Sequence, residues 1–494
     1  MAALDRRSFM QLGTAGLVSC VLPSILQAEA TTKFKRSAVH TVEGKAMLAI
    51  YAAGVKELTD TSKFSEADPR SWTFQWYTHA VPSNRTKAAE LKRLYPAADP
   101  RKNIATAMWD TCEAHTDSSR ENFFLPWHRM YVSSFEKIIR FVTGESGFAL
   151  PYWDYTDPHQ RALPEEFRRP SDPIWKSLYR ATRNAHVNSG APIDSAPSSA
   201  ALSIDSLRST TYEDAVADAG FCANLDGFLH GAVHVDVGNA QGMGQVPWAA
   251  GDPIFWLHHC NIDRIWASWN RSGGVNLAEA SFLSERFQFA DSSGKQVSLS
   301  VSDFMSMPGY EYDAYVDRPI GSPPFKATGP LFVAQHASSE SAATMIALGQ
   351  SVSFRLSKPI RGLAGTPLPV AAPLIKDIAP NLSLHLRLEQ ISASADPNTS
   401  FDVFVTSNAR PLNGRKDPAF VGSLPFFGIG HQHAHAHMQK TTAAARNASF
   451  ILNEQIRLEL SDAGTNLPFV TIVANGQLSK SARPTIGRIL LVSA

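Results

Sequence analysis

One helix-length stretch constrains this chain more than any other. Phe255, His259, Ile262, Trp266 and Trp269 fall at i, i+4, i+7, i+11 and i+14, the spacing of a single apolar stripe on an α-helix. The second member of that stripe is a histidine, and His258 stands beside it, off the stripe. Upstream, Leu125-Pro126-Trp127-His128 opens another helix, in which His128, Tyr131, Phe135, Ile138 and Val142 recur at helical spacing until Gly144 stops it. His230 and His234, four apart, share one face of a third helix. A single histidine on an apolar face is ordinarily a hydrogen-bonded core residue, and an i, i+4 pair alone arises often by chance. Three helices that each direct imidazole into a nonpolar interior are a different matter. Burying that many rings uncharged calls for partners, and a metal ion supplies them.

An all-imidazole site with no Asp, Glu or Cys nearby at ligand spacing suits copper, zinc or nickel and disfavours the hard-oxygen ions. The chain has no H-E-x-x-H and no C-x-x-C, so the usual zinc signatures are absent. Its four cysteines are too few for a disulfide scaffold. Lys plus Arg (46) against Asp plus Glu (45) leaves a formal charge of +1, so there is no general basic field for nucleic acid or an anionic membrane.

The N-terminus reads as an address. Arg6-Arg7-Ser8-Phe9 precedes an uncharged stretch from Gln11 to Gln27 that ends in a small-residue cleavage pattern, Ala28-Glu29-Ala30, the layout of a twin-arginine signal over residues 1–30. The expected location is periplasmic or secreted, with no integral membrane segment in the mature chain. Leu17-Val18-Ser19-Cys20 also resembles a lipobox, the alternative being a lipid anchor on Cys20. Residues 31–320 are expected to form a mainly helical domain, with a long, mostly irregular insertion from 155 to 220. Pro319, Pro323, Pro324 and Pro330 and a Ser/Ala-rich stretch at 338–344 suggest a linker over 321–350. Alternating segments follow over 351–494, among them Val352–Leu356, Leu382–Leu388, Phe401–Val405, Ile456–Leu460 and Phe469–Val473, and their period of two predicts a β-sandwich.

Three motifs carry a resemblance to a family. Phe124-Leu125-Pro126-Trp127-His128-Arg129, the His230/His234 pair, and Asp252-Pro253-Ile254-Phe255-Trp256-Leu257-His258-His259-Cys260-Asn261-Ile262-Asp263 resemble the copper-binding motifs of tyrosinases, catechol oxidases and hemocyanins. Pro151-Tyr152-Trp153-Asp154 and Tyr310-Glu311-Tyr312 resemble further segments of that family. Phe401–Val405 is similar to the β-sandwich attached to plant polyphenol oxidases. The resemblance implies a four-helix bundle around two copper ions. His79, His115 and His128 would hold copper A, and His230, His234 and His259 copper B. It further implies oxidation of o-diphenols to o-quinones with dioxygen, with ortho-hydroxylation of monophenols as a possible second activity and phenolic small molecules as substrates. A C-terminal domain of this kind resembles the part that shields latent polyphenol oxidases.

Departures from the pattern bear on the chemistry. His128 follows His115 at a spacing of thirteen, more than is common in the family, which leaves room for a loop insertion or another second ligand. Cys112, three residues before His115, is a candidate for the thioether that some relatives form with that histidine. Gly231 stands where monophenol-active relatives often carry Asn, and Asp226 where plant relatives carry a water-positioning Glu. Asp226 and Gly231 are therefore the candidate residues governing phenol deprotonation, with diphenol oxidation expected over monophenol hydroxylation. Asp263 and Asn261 are expected either to support a copper B ligand or to serve as helix caps or salt-bridge partners. His431, His433, His435 and His437 alternate strictly, either as a metal-capturing patch or as a solvated edge. Two readings compete with the oxidase: an oxygen carrier with the same ligands, and a periplasmic copper-binding or storage protein.

Overall fold

The computed structural model describes residues 33–493 except 97, 114–119, 216–217, 308, 320–328, 335–345, 357–382, 430–444 and 464–467. The twin-arginine segment, Cys20, His115 and the alternating histidines at 431–437 therefore lie outside the described residues. The helical part runs through α1 (Val42–Thr59), α2 (Trp72–His79), α3 (Lys87–Leu94), α4 (Arg101–Met108), α5 (Phe124–Thr143), α6 (Ala185–Asn188), α7 (Gly220–Asn224), α8 (Gly231–Val237), α9 (Val246–Ala249), α10 (Ile254–Arg271) and α11 (Ala280–Leu283). A π-helical turn, Leu225–His230, joins α7 to α8, and short turns fill the 155–220 insertion. No helix among the described residues is long and apolar enough to cross a membrane.

The local chemistry explains the boundaries. Thr41 caps α1 by accepting the Gly44 N–H at 3.0 Å. A Cβ on Gly44 would lie 1.9 Å from the Ala38 carbonyl oxygen, so only glycine lets the chain fold back over that first turn. α5 ends at Gly144 in the left-handed conformation, φ 74°. The Asp252 carboxylate accepts the Ile254 N–H at the start of α10 and pairs with the buried Arg183 at 2.7 Å. α5 and α10 then pack together, with Phe135 and Trp256 stacked at 3.6 Å between ring centroids.

A buried ion cluster ties chain segments far apart in sequence to this helix pair. Strand β1 (Phe34–Arg36) runs parallel to β4 (Tyr310–Tyr312), beyond the hairpin of β2 (Arg286–Ala290) and β3 (Gln296–Ser300). Arg36 donates to Glu136 of α5 and to Asp263 of α10, each at 2.7 Å, and Arg129 pairs with the other Asp263 oxygen. Asp263 and Asn261 therefore serve as structural partners: Asn261 accepts from Arg264 at 3.0 Å. Burial pushes the Asp263 carboxyl upward, but Arg129 and Arg36 hold it below the ordinary range.

The C-terminal part forms two antiparallel four-stranded sheets. Its strands are β5 (Gly329–Ala334), β6 (Ile346–Ala347), β7 (Ser351–Arg355), β8 (Leu384–Ile391), β9 (Phe401–Thr406), β10 (Phe420–Leu424), β11 (Arg446–Ile451), β12 (Phe469–Ala474), β13 (Thr485–Ile486) and β14 (Arg488–Ser493). One sheet has the order β11-β8-β14-β5 and the other β10-β9-β12-β7, and both contribute to one apolar cluster distinct from that of the helical part. Two expectations need correction. Part of the stretch read as linker forms β5 and β6. Ile456–Leu460, read as a strand, lies in helix α12 (Glu454–Asp462). Asn453 caps that helix by accepting the Ile456 N–H at 2.9 Å. Ile456 and Leu460 satisfy both a period of two and an i, i+4 pair, while Leu458 is left exposed.

Candidate metal centre

Two clusters of donor side chains converge inside the helical part: His79, Cys112 and His128, and His230, His234, His258 and His259, all buried. Four elements deliver the histidines: the last residue of α2, the first turns of α5, the π turn running into α8, and α10. The clusters adjoin one another. The His128 and His259 rings stack with centroids 4.2 Å apart. Phe124 lies 4.7 Å from both His128 and His230, and Phe255 lies 4.2 Å from His259 and 4.9 Å from His79.

Hydrogen bonds orient the rings as metal ligands require. His128 Nδ1 donates to the Phe124 carbonyl at 2.8 Å, and His234 Nδ1 donates to the Met243 carbonyl at 2.8 Å. His230 Nδ1 lies 2.8 Å from an Asp226 carboxylate oxygen. With Nδ1 engaged, each ring offers the lone pair of Nε2 to an ion. The His234 Nε2, the His258 Nε2 and both nitrogens of His259 are buried without a hydrogen-bond partner among the described residues. Such atoms are costly to bury unpaired, and an imidazole-binding metal ion would satisfy them. Burial, reinforced by His230, pushes His128 down to about 3. Burial and the neighbouring imidazoles hold His234, His258 and His259 well below the usual histidine range. These four rings are neutral at pH 7, the form that binds a metal.

The sequence-predicted residues fall as follows. His79 and His128 share the first cluster, and His230, His234 and His259 the second. Sequence reasoning missed two members. His258, set aside as off the stripe, is fully buried in the second cluster, its Nδ1 2.8 Å from the Tyr155 hydroxyl. No cysteine was expected among the donors, yet the Cys112 backbone N–H donates to the His79 carbonyl at 3.3 Å, which draws its sulfur into the first cluster, 3.6 Å from His128 Nε2. That contact between distant segments leaves no trace in local spacing; for His258, the doubled histidine was the available signal.

Asp226 and Gly231 lie at the edge of the second cluster, and Gly231 meets the C-terminal part. Asp226 is spent on His230, which gives it a positioning geometry rather than that of an acceptor facing an open cleft. A Cβ on Gly231 would lie 3.3 Å from Phe427 Cβ and from Pro425 Cγ. The Phe427 ring stacks on His234 with centroids 3.9 Å apart and planes 10° from parallel. The two parts are also joined by Arg387, which binds Asp214 through both carboxylate oxygens at 2.7 Å, and by Ser449, which donates to Asp218 at 2.8 Å.

Comparison with known proteins agrees with this geometry. The family model "Common central domain of tyrosinase" matches residues 69–193 and 175–272. The chain is 30% identical over 281 residues to tyrosinase HcTyr1 of Hahella sp. (strain CCB-MM4), covering 50% of this chain and 56% of that relative's length. It is 26% identical over 434 residues to a chloroplastic polyphenol oxidase of Malus domestica, covering 76% and 71% of the two chains. Among solved structures, latent aurone synthase, a polyphenol oxidase, superimposes with a TM-score of 0.62 at 21% identity, covering 94% of this chain and 90% of that one. Latent apple tyrosinase gives 0.61 at 21%, covering 94% and 97%. These structures show a shared polyphenol oxidase-like fold that extends through the C-terminal sheets. The central region, with the buried histidines it brings together, is thus similar to the common central domain of tyrosinases, and the chain spans just over half the length of the Hahella tyrosinase that it matches.

Proposed function

We propose that this protein is a dicopper phenol oxidase that oxidises o-diphenols to o-quinones at the expense of dioxygen, and that its C-terminal part holds it latent. The juxtaposition of two buried donor clusters across the stacked His128 and His259 rings carries the reading. His79, His115 and His128 would hold one copper ion, and His230, His234 and His259 the other, in an arrangement read as a four-helix bundle followed by a β-sandwich. The domain division proposed is 31–320 and 351–494, with the connecting stretch 321–350 lending β5 and β6 to the C-terminal part. When bound, the copper pair supplies reversible electron exchange with dioxygen and substrate.

The residues of the chain set the conditions. Phe124 and Phe255 line the gap between the clusters and keep it dry. The carbonyls of Phe124 and Met243 and the carboxylate of Asp226 fix ring orientation. A catechol would lie flat over His234, the place that Phe427 now takes, so the Phe427 ring acts as a plug in front of the second cluster. Hydroxylating a monophenol also requires removal of a proton whose pKa is near 10. With Asp226 engaged by His230 and Gly231 adding no side chain, that step is poorly provided for, and diphenol oxidation is the proposed main activity. The Arg6-Arg7 motif supports export by the twin-arginine route to the periplasm or beyond.

The test is dioxygen uptake by the copper-loaded chain given a catechol and a monophenol, before and after limited proteolysis between 320 and 350. The proposal expects two quinones per dioxygen, faster turnover after cleavage, and unchanged copper content. An oxygen carrier or a copper store would show no turnover in either form.

A further inference from the structure

A cavity of about 270 Å³ opens on a different face of α5 from His128. Arg129, Ser133, Lys137 and Arg140 line it, and their spacing of four, four and three places them along one side of the helix. Phe34 and Tyr310, from the β1–β4 pair, form another wall. At the low end of the ligand-pocket range, this volume suits a compound with a single ring.

The charges around the cavity do not balance. Arg36 is satisfied by Glu136 and Asp263, and Asp263 also pairs with Arg129, so two carboxylates face two guanidiniums. Lys137 and Arg140 are additional. Arg140 donates to the Phe148 carbonyl at 2.6 Å and to the Tyr310 hydroxyl at 3.0 Å, and among the described residues neither cation has a carboxylate partner. Partial desolvation, then the adjacent Arg140, lower the Lys137 ammonium from the usual lysine range, against the opposing pull of Glu136. Arg129 Nη2 is buried with no hydrogen-bond partner among the described residues. Apolar walls beside such cations concentrate their field on the enclosed space.

The geometry points to a binding site for a small aromatic carboxylate, with the ring against Phe34 and Tyr310 and the carboxylate on Lys137 and Arg140. An aliphatic anion would leave the aromatic wall unused, and a neutral phenol would leave the two cations unanswered. The site is separate from the metal centre: Arg129 follows His128, and Asp263 lies one turn beyond His259, so the ligand would bind behind the two helices rather than between the clusters.

The test is a fluorine NMR titration of the full chain with 4-fluorophenylacetate, in metal-free and copper-loaded forms. Saturable one-to-one binding is expected in both forms, with dissociation constants that agree within about twofold. Lys137→Glu, at an exposed position, should weaken it by about tenfold or more. Ser133→Phe, which fills the cavity, should abolish it with copper content unchanged. Three results would overturn the site: no saturation by about 10 mM, binding that requires copper, or binding indifferent to Lys137→Glu.

Discussion

The two donor clusters are built differently. The first gathers His79, Cys112 and His128 from three chain segments, held in register by a backbone bond between Cys112 and His79. The second takes its four histidines from only two segments, α10 and the π turn leading into α8. The first is sealed by aromatic side chains of the helical part, such as Trp127 and Tyr131. The second is closed by Phe427, which belongs to the C-terminal part. Thus one half of the site is completed by side chains of the helical part and the other by a ring of the C-terminal part. Access should be controlled at the second cluster, and structural integrity at the first.

The largest expected effect comes from breaking the second cluster alone. His259→Ala should reduce bound copper from two equivalents to one and bring catechol oxidation to background, while the protein remains folded. Metal analysis alongside circular dichroism checks this, and retention of two coppers would remove His259 as a ligand. Asp226→Asn removes the carboxylate that orients His230. A roughly 10- to 100-fold loss of copper affinity, confined to one of the two ions, is expected and is measurable by competition with a chelator. Phe427→Ala tests the plug. Loss of a stacked ring contact worth about 0.5–1.5 kcal/mol should raise the activity of the uncleaved chain up to about tenfold and leave the cleaved form unaffected.

These contrasts also show what the sequence could reveal. The stripe through His259, the His230/His234 pair and the Pro126 helix start were legible because helix periodicity is a local property. So was the alternation of most C-terminal strands. Cys112 was legible in part: its spacing to His115 marked it as a thioether candidate, while its place among the donors follows from a backbone bond between segments that local spacing does not relate. The position of Phe427 was not legible: it sits in the core of the helical part although nearly two hundred residues separate it from His234. Ile456–Leu460 misled because one pattern satisfied two periodicities and the deciding signal was the Asn453 cap. For Asp263 the sequence left ligand support and salt bridging open, and the structure makes it the hub of an ion cluster with Arg36 and Arg129.

Acid should separate the folded metal-free protein from its unfolded chain. Burial, the largest cause, lowers His128 to about 3 and holds His234, His258 and His259 well below 6.5. As pH falls below about 6.5 the unfolded chain takes up protons at these residues and the native state does not. Stability should be fully present above that pH and decline below it, by about 1.4 kcal/mol per pH unit for each histidine. Denaturant titrations of metal-free protein between pH 7 and 5 measure this. A flat profile would mean the rings are solvated. The smallest effect is expected at Gly231. In the full chain Gly231→Asn presses on Pro425 and Phe427, so a few-fold rise on both monophenol and diphenol should appear, about 1 kcal/mol or less. Only after cleavage should the ratio of monophenol to diphenol activity increase, and an unchanged ratio there would take Gly231 out of the account.

The most direct measurement is catechol-dependent dioxygen uptake by the proteolysed chain as copper is added stepwise to metal-free protein. If the two clusters act together, uptake stays near background while chains hold a single ion and rises only with the population holding two. Activity that grows in proportion to the first equivalent, or none with both bound, would contradict a paired centre.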